Sequence, residues 1–168
     1  MLVRRESPSD VGAVRAVTGA AFGGPSCPEA RLVDELRATD AWLGRFSLVA
    51  VGSSGAVVGH VLGSRAHVSS LPVLALGPLS VHPDHQRRGV GKALVHTLLG
   101  AADACDEPLV VLLGDPGYYG RFGFHLAAGY GIEPPVPAWA PHFQARTLAA
   151  HRPTLRGRFA YAEPFDRV

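Results

Sequence analysis

The chain has 168 residues, 47% of them hydrophobic and 18% charged, with a formal net charge of +2. That composition excludes a disordered segment, and the small, scattered charge excludes a nucleic-acid partner held by a basic surface. No apolar run approaches the ~18 residues of a transmembrane helix, so no membrane association is expected. The length suits a single domain, residues 1–168, able to bury a sizeable core. Met1-Leu2-Val3-Arg4-Arg5-Glu6 lacks the apolar core of a secretion signal. Cys27 and Cys105 stand far apart with no Cys-x-x-Cys, which points to a reducing cytoplasm without disulfides.

Leu2 to Arg5 reads as a first strand. Ser7-Pro8-Ser9-Asp10 starts a helix that runs to about Phe22, with Val11, Val14, Val17 and Ala21 as its apolar stripe and Gly23-Gly24-Pro25 as its stop. A second helix spans Pro28 to Thr39, with Leu32, Val33 and Leu36 inward. Phe46 to Val51 and Ala56 to His67 form a hairpin around Gly52-Ser53-Ser54-Gly55. Val73 to Val81 is the next strand, followed by a helix whose expected stripe is Val90, Ala93, Leu94, Thr97, Leu98 and Ala101. Leu109 to Leu113 is a continuous apolar run, as expected of a strand buried on both faces. Gly129 to Pro141, with Pro134, Pro135, Pro137 and Pro141, is a loop. Phe143 to Ala149 and Arg158 to Ala162 are expected to close the sheet. The order βααβββαβαββ is that of an α/β (α+β) domain.

Between the Val73–Val81 strand and the helix that follows lies His82-Pro83-Asp84-His85-Gln86-Arg87-Arg88-Gly89-Val90-Gly91-Lys92. A strand that delivers a glycine loop onto a helix N-terminus makes an anion site: the first backbone N–H groups have no internal acceptor, and the helix dipole favours negative charge there. Gly89 and Gly91 lack a Cβ, so a pyrophosphate can approach the backbone, and Arg87, Arg88 and Lys92 surround it with positive charge. Neither common phosphate motif fits. A P-loop needs Gly where Gln86 stands and Ser or Thr where Ala93 stands. A dinucleotide fingerprint needs a third Gly where Leu94 stands.

The remaining pattern, Gln86-x-x-Gly89-x-Gly91, resembles the acyl-CoA pyrophosphate loop of the GNAT superfamily of N-acetyltransferases. Leu79-Ser80-Val81-His82-Pro83 resembles that family's fourth strand, and Tyr119-x-x-x-Gly123-Phe124 its second motif. The wording Gly114-Asp115-Pro116-x-Tyr118-Tyr119-Gly120-Arg121-Phe122-Gly123-Phe124 looks like one bacterial branch of the family, in keeping with a chain rich in Ala, Arg, Gly and Pro and poor in Lys. The resemblance implies a mixed, mostly antiparallel central sheet flanked by helices and splayed between strands four and five. It implies acetyl-CoA as cosubstrate, with no metal, and a primary amine as acceptor that attacks the thioester directly in a ternary complex. The CoA-binding residues it implies are Leu79, Val81, Gln86, Arg87, Arg88, Gly89, Val90, Gly91, Lys92 and Tyr119. The amide of Leu79 would face the thioester carbonyl, that of Val81 would pair with pantetheine, and Tyr119 would protonate the departing thiolate. A phenol at ~10 against a thiol at ~8.5 makes that transfer feasible. A homodimer is the family's default assembly.

The strand segment Val73 to Leu76 holds no carboxylate to serve as general base. His82, Asp84, His60 and His67 remain as candidates beside ordered water, and His82, Asp84 and His85 as a conceivable metal set. Phe22, Trp42 and the Trp139-Ala140-Pro141-His142 segment are nominated for the acceptor side. The acceptor itself stays open among a protein N-terminus, a lysine, an amino acid, a polyamine and an amine-bearing antibiotic. The missing carboxylate keeps a second class in view, an acyl-CoA-binding sensor or interaction module without turnover. Tyr119 favours the enzyme, since binding alone requires no proton donor.

Overall fold

Alternating apolar residues along the long strands divide the molecule into two faces of one mixed sheet. The computed structural model describes residues 1–167. Its elements are β1 (Leu2–Arg5), α1 (Val11–Phe22), α2 (Pro28–Arg37), β2 (Trp42–Val51), β3 (Val57–Val68), β4 (Leu71–Val81) and α3 (Val90–Ala104). They continue with β5 (Leu109–Leu113), α4 (Pro116–Tyr119), β6 (His125–Leu126), β7 (Ile132–Glu133), β8 (Phe143–Thr147) and β9 (Gly157–Ala160). Strand order is β1-β2-β3-β4-β5-β8-β6, antiparallel throughout except for the parallel β4–β5 pair.

On one face Leu48, Ala50, Val61, Leu74, Leu76, Val110 and Leu112 pack against α3. On the other, the intervening residues Val49 and Leu62 meet Val14, Leu32, Val33 and Leu36 of α1 and α2. Farther along that second face Val73, Ala75, Leu109 and Val111 meet Phe143 and Phe159. Period-two alternation therefore decides which helix layer each residue joins. Fully burying one such Val or Leu contributes about 1.5–3 kcal/mol, so both layers are anchored by several side chains each.

Four expectations are corrected. The buried stripe of α3 is Val90, Leu94, Val95, Leu98, Leu99 and Ala102, rotated from the one expected. Thr97 is exposed and spends its hydroxyl on the Ala93 carbonyl at 2.8 Å. β2 starts at Trp42, earlier than Phe46. The proline-rich stretch is not plain loop: it holds 3-10 turns at 127–130 and 137–142, with β7 between them. β9 does not close the sheet beyond β8; it pairs with the far end of β3 and with β7. No helix among the described residues is long and apolar enough to cross a membrane.

The start of the chain is fastened by charge. Asp10 is buried and accepts from Arg4 at 2.6 and 3.0 Å, from the Ser7 N–H at 2.8 Å and from the Ser7 hydroxyl at 2.7 Å. The Arg4 guanidinium, and then the Ser7 donors, hold the Asp10 carboxyl well below the usual carboxylate range. Asp10→Ala should lower stability by about 1 kcal/mol, as for other lost caps. A group whose pKa is depressed by folding stabilises above its unfolded value and loses that contribution as it protonates. The gap between wild type and Asp10→Ala should thus be constant at neutral pH and narrow below about pH 4. Denaturant melts at pH 7, 5 and 3 measure it.

Candidate active site

β4 and β5 touch only at their start. Leu74 pairs with Val110 and Ala75 with Val111, while β5 stays paired to β8 along its whole length. Beyond Ala75 the strands part. There β4 bulges against β3: Val61 faces Leu79 and Gly63 faces Leu76, which leaves Gly77-Pro78 as the extra element. The Gly77–Pro78 bond is cis.

Past the bulge the register fixes where the backbone points. His82 N–H donates to the Val58 carbonyl at 3.0 Å, and His60 faces Ser80. Bonded and non-bonded pairs alternate in an antiparallel ladder. Leu79 and Val81 occupy the non-bonded positions, so their N–H and C=O groups turn away from β3 into the gap left by β5. The Val81 carbonyl is met there by the Gln86 side-chain amide at 3.2 Å.

The loop after β4 brings together most of the residues that the sequence singles out. Arg87 and Gly89 have positive φ, 58° and 84°, and Gly89 is the residue before α3. The first helical bond runs from Ala93 N–H to Gly89 C=O at 2.9 Å, so the amides of Val90, Gly91 and Lys92 precede it and lack intrahelical acceptors. Arg87, Arg88 and Lys92 are exposed and form no ion pair among the described residues. The two glycines differ. Around the missing Cβ of Gly89 lies open space. A methyl on Gly91 would instead stand 2.7 Å from the Tyr118 hydroxyl and 3.6 Å from Val81, so this glycine makes room for a tyrosine.

The second motif folds into an aromatic seat. Asp115 accepts from the Gly117 N–H at 2.8 Å and opens the short helix α4. Gly123, at φ 80°, reverses the chain and returns Phe124 beneath Tyr119, ring centroids 5.9 Å apart. Phe122 and Phe124 are buried, and Tyr118 packs edge-on to Tyr119 at 4.9 Å. Tyr119 lies against Gly114 so closely that a methyl there would come within 2.5 Å of its ring. Gly114 is in turn fixed by its N–H to the His142 carbonyl at 3.0 Å and by the buried Gln144 amide on its carbonyl at 3.0 Å. Burial, helped by Tyr118, pushes the Tyr119 phenol up to about 12. That is farther from a thiol than the reference value, and it keeps the phenol protonated.

On the face opposite α3, a cavity of about 860 Å³ opens over the parted strands. Leu76 to Leu79, Leu113, Gly114 and Tyr119 form its floor. Phe22 and Glu29 of the first two helices bound one side, and Pro135, Val136 and Trp139 another. The third side, Arg158 to Tyr161 with Phe165 and Asp166, is invisible to local sequence pattern. It arrives because the C-terminal 3-10 turn docks on α2, where Arg167 meets Glu35 at 3.1 Å.

Several candidates lie elsewhere. Trp42 is not in the cavity; its ring lies under the Arg37 guanidinium at 5.0 Å. His60 is fully buried on β3, its Nε2 2.9 Å from the Ser47 hydroxyl and 3.4 Å from Glu6. Burial lowers its pKa despite Glu6, so it is neutral and sealed from any substrate. Burial works to raise the Glu6 pKa, but hydrogen bonds from His60, Ser47 and Arg37 outweigh it and leave the carboxylate ionised. His67 lies in the β3 ladder, facing Pro72 and Ala160. His82 uses Nδ1 to accept the Asp84 N–H at 3.3 Å and so caps a turn. Among the described residues, no three His, Cys, Asp or Glu side chains are grouped to hold a metal ion.

Comparison with known proteins agrees with this architecture. Residues 22–124 match the model of the Acetyltransferase (GNAT) family. The chain is 34% identical, over 99% of both chains, to the uncharacterized N-acetyltransferase YhbS of Escherichia coli K12. The crystal structure of E. coli YhbS in complex with CoA superimposes with a TM-score of 0.91 at 31% identity, covering 99% of this chain and 92% of that one. A GNAT family acetyltransferase from Brucella melitensis in complex with acetyl-CoA superimposes with a TM-score of 0.80 at 34% identity, covering 98% and 97%. With a matching family model and near full-length relatives, the chain belongs to the GNAT family of acetyltransferases.

Proposed function

We propose that the protein transfers the acetyl group of acetyl-CoA to a primary amine in a ternary complex. The single observation that carries this is the gap between β4 and β5, with an unspent anion site on one face and a cavity on the other. The similarity to structures that hold CoA or acetyl-CoA supports the same donor here.

In this reading the pyrophosphate rests on the amides of Val90, Gly91 and Lys92 within the Gln86–Lys92 loop, neutralised by Arg87, Arg88 and Lys92. Pantetheine takes the place that β5 vacates and pairs with Val81. The Leu79 amide donates to the thioester oxygen. A preorganised backbone donor at a developing oxyanion contributes about 3–4 kcal/mol in other enzymes.

The amine lone pair attacks the carbonyl carbon, the C–S bond breaks, nitrogen sheds one proton and sulfur gains one. Tyr119 donates its O–H to the leaving sulfur. Because its phenol lies near 12, complete transfer to a thiolate of ordinary pKa, ~8.5, runs uphill. The hydroxyl acts as a donor while charge develops, and it hands over its proton only as the amine proton replaces it. No carboxylate stands on β4 to take the amine proton, so water relays it from nitrogen to the Tyr119 oxygen and restores the phenol. The fold and the donor site suit cytoplasmic work, and the assembly is a homodimer in keeping with the family.

Calorimetry should show acetyl-CoA and CoA binding far more tightly than dephosphorylated pantetheine; equal affinities at moderate salt would remove the phosphate site. Tyr119→Phe should lower kcat at least tenfold with little change in acetyl-CoA affinity, because the hydroxyl acts only in the transition state. Tyr118→Phe should be milder, and full kcat in Tyr119→Phe would refute the donor role. Since burial keeps the phenol protonated, kcat should rise with pH as the amine deprotonates and show no alkaline decline up to about pH 10. A descending limb below that value in wild type, absent from Tyr119→Phe, would show the phenol titrating too early.

A further inference from the structure

We propose that the acceptor is an amphipathic amine of drug-like size: one ammonium on an aromatic or alicyclic body. This rests on the acetyl-transfer reading and names the substrate class of that same cavity. The volume, about 860 Å³, includes the floor at Leu79 and Tyr119 that the thioester end takes, and the whole lies within the ~300–1,000 Å³ of pockets that enclose small organic molecules.

Much of the mouth is apolar, with exposed Arg158 and Asp166 on one side. Phe22, Leu113 and Val136 are 40%, 42% and 39% exposed, and all three line this one opening. Exposed apolar side chains that gather at a rim mark a contact for an apolar partner, whereas scattered ones mean nothing. Tyr161 and Phe165 stack at 4.4 Å and 26°, and with Trp139 they give the cavity three aromatic lining residues on two of its sides. Such surfaces favour a ring and stack well under a cation.

Charge is sparse and specific. Three charged residues line the cavity, Glu29, Arg158 and Asp166, and none of them has an ion-pair partner among the described residues. Glu29 is half-buried in the first turn of α2, beside the C-terminal turn that carries Asp166. Arg158 reaches the Pro135 carbonyl at 3.3 Å, on the side of the proline-rich segment. Glu29, half-buried, and Asp166, exposed, both line the cavity without an ion-pair partner among the described residues and can draw in one ammonium, while Arg158 donates to the Pro135 carbonyl. A polyamine or an aminoglycoside brings several ammonium groups, and an apolar rim with two carboxylates leaves most of them unpaired and desolvated.

The test is a product assay with tryptamine and 2-phenylethylamine against spermidine, kanamycin, glycine and an alanyl peptide. Tryptamine should have a kcat/KM at least tenfold above each of the last four. Glu29→Gln and Val136→Asp should each raise KM for tryptamine at least fivefold and leave KM for acetyl-CoA unchanged. Faster turnover of spermidine, kanamycin, glycine or the peptide overturns the proposal and leaves the transferase reading standing. So does an unchanged tryptamine KM in both variants. Calorimetric titration of tryptamine into the CoA complex separates the remaining case. Binding without transfer to any amine keeps the substrate class and overturns the transferase reading; absence of both binding and transfer overturns the substrate class.

Discussion

A sheet that comes apart in its middle carries an unusual obligation. Strand edges are normally paired, covered or charged, because bare N–H and C=O groups invite any extended chain. Here the edge of β4 past Ala75 is flanked by the ladder to β3 on one side and by no strand on the other, where the Gln86 amide meets the Val81 carbonyl. β5 is held back by its full pairing with β8, and the Gln144 amide, bonded to Gly114, ties the end of β5 to that neighbour. The opening is therefore framed by strand pairing on both flanks.

That opening also sorts charge. The face on which α3 begins presents exposed Arg87, Arg88 and Lys92 around unsatisfied amides. The opposite face presents aromatic walls and two carboxylates. A polyanion and a cation are thus drawn to different sides of the same strand, and neither is favoured in the other's place. Tyr119 stands at the boundary, its hydroxyl kept neutral by burial, so it adds no charge to either side.

The donor half was legible in the sequence because it is local. Gln86 to Lys92 reads as an anion loop from glycine spacing and a helix start, and the structure has that loop where the pattern puts it. Tyr119 to Phe124 is likewise contiguous. The apolar runs located β3, β4 and β5 to within a few residues. What escaped depends on long-range packing. The α3 stripe was misread because Ala93 and Thr97 fit a helical period as well as Val95 and Leu99 do, and only the sheet decides between them. Gly91 carries no mark of the tyrosine that needs its space. His60 looked like a base until burial beside Glu6 and Ser47 claimed it. Glu29 and the Arg158–Asp166 wall meet across more than 120 residues, which no local pattern encodes.

The docked C-terminal segment divides the walls of the cavity into two groups along the chain. The stretch matched by the family model ends at Phe124, yet the second and third walls of the cavity both come after it. Those walls rest on short strands, 3-10 turns and surface ion pairs such as Arg167–Glu35, none of which supports the anion loop. Substitutions on the exposed parts of those walls can therefore reshape the cavity and spare the anion loop, but β8 is not free to change with them, since it holds β5 along its whole length while His142 and Gln144 fix Gly114 beneath Tyr119.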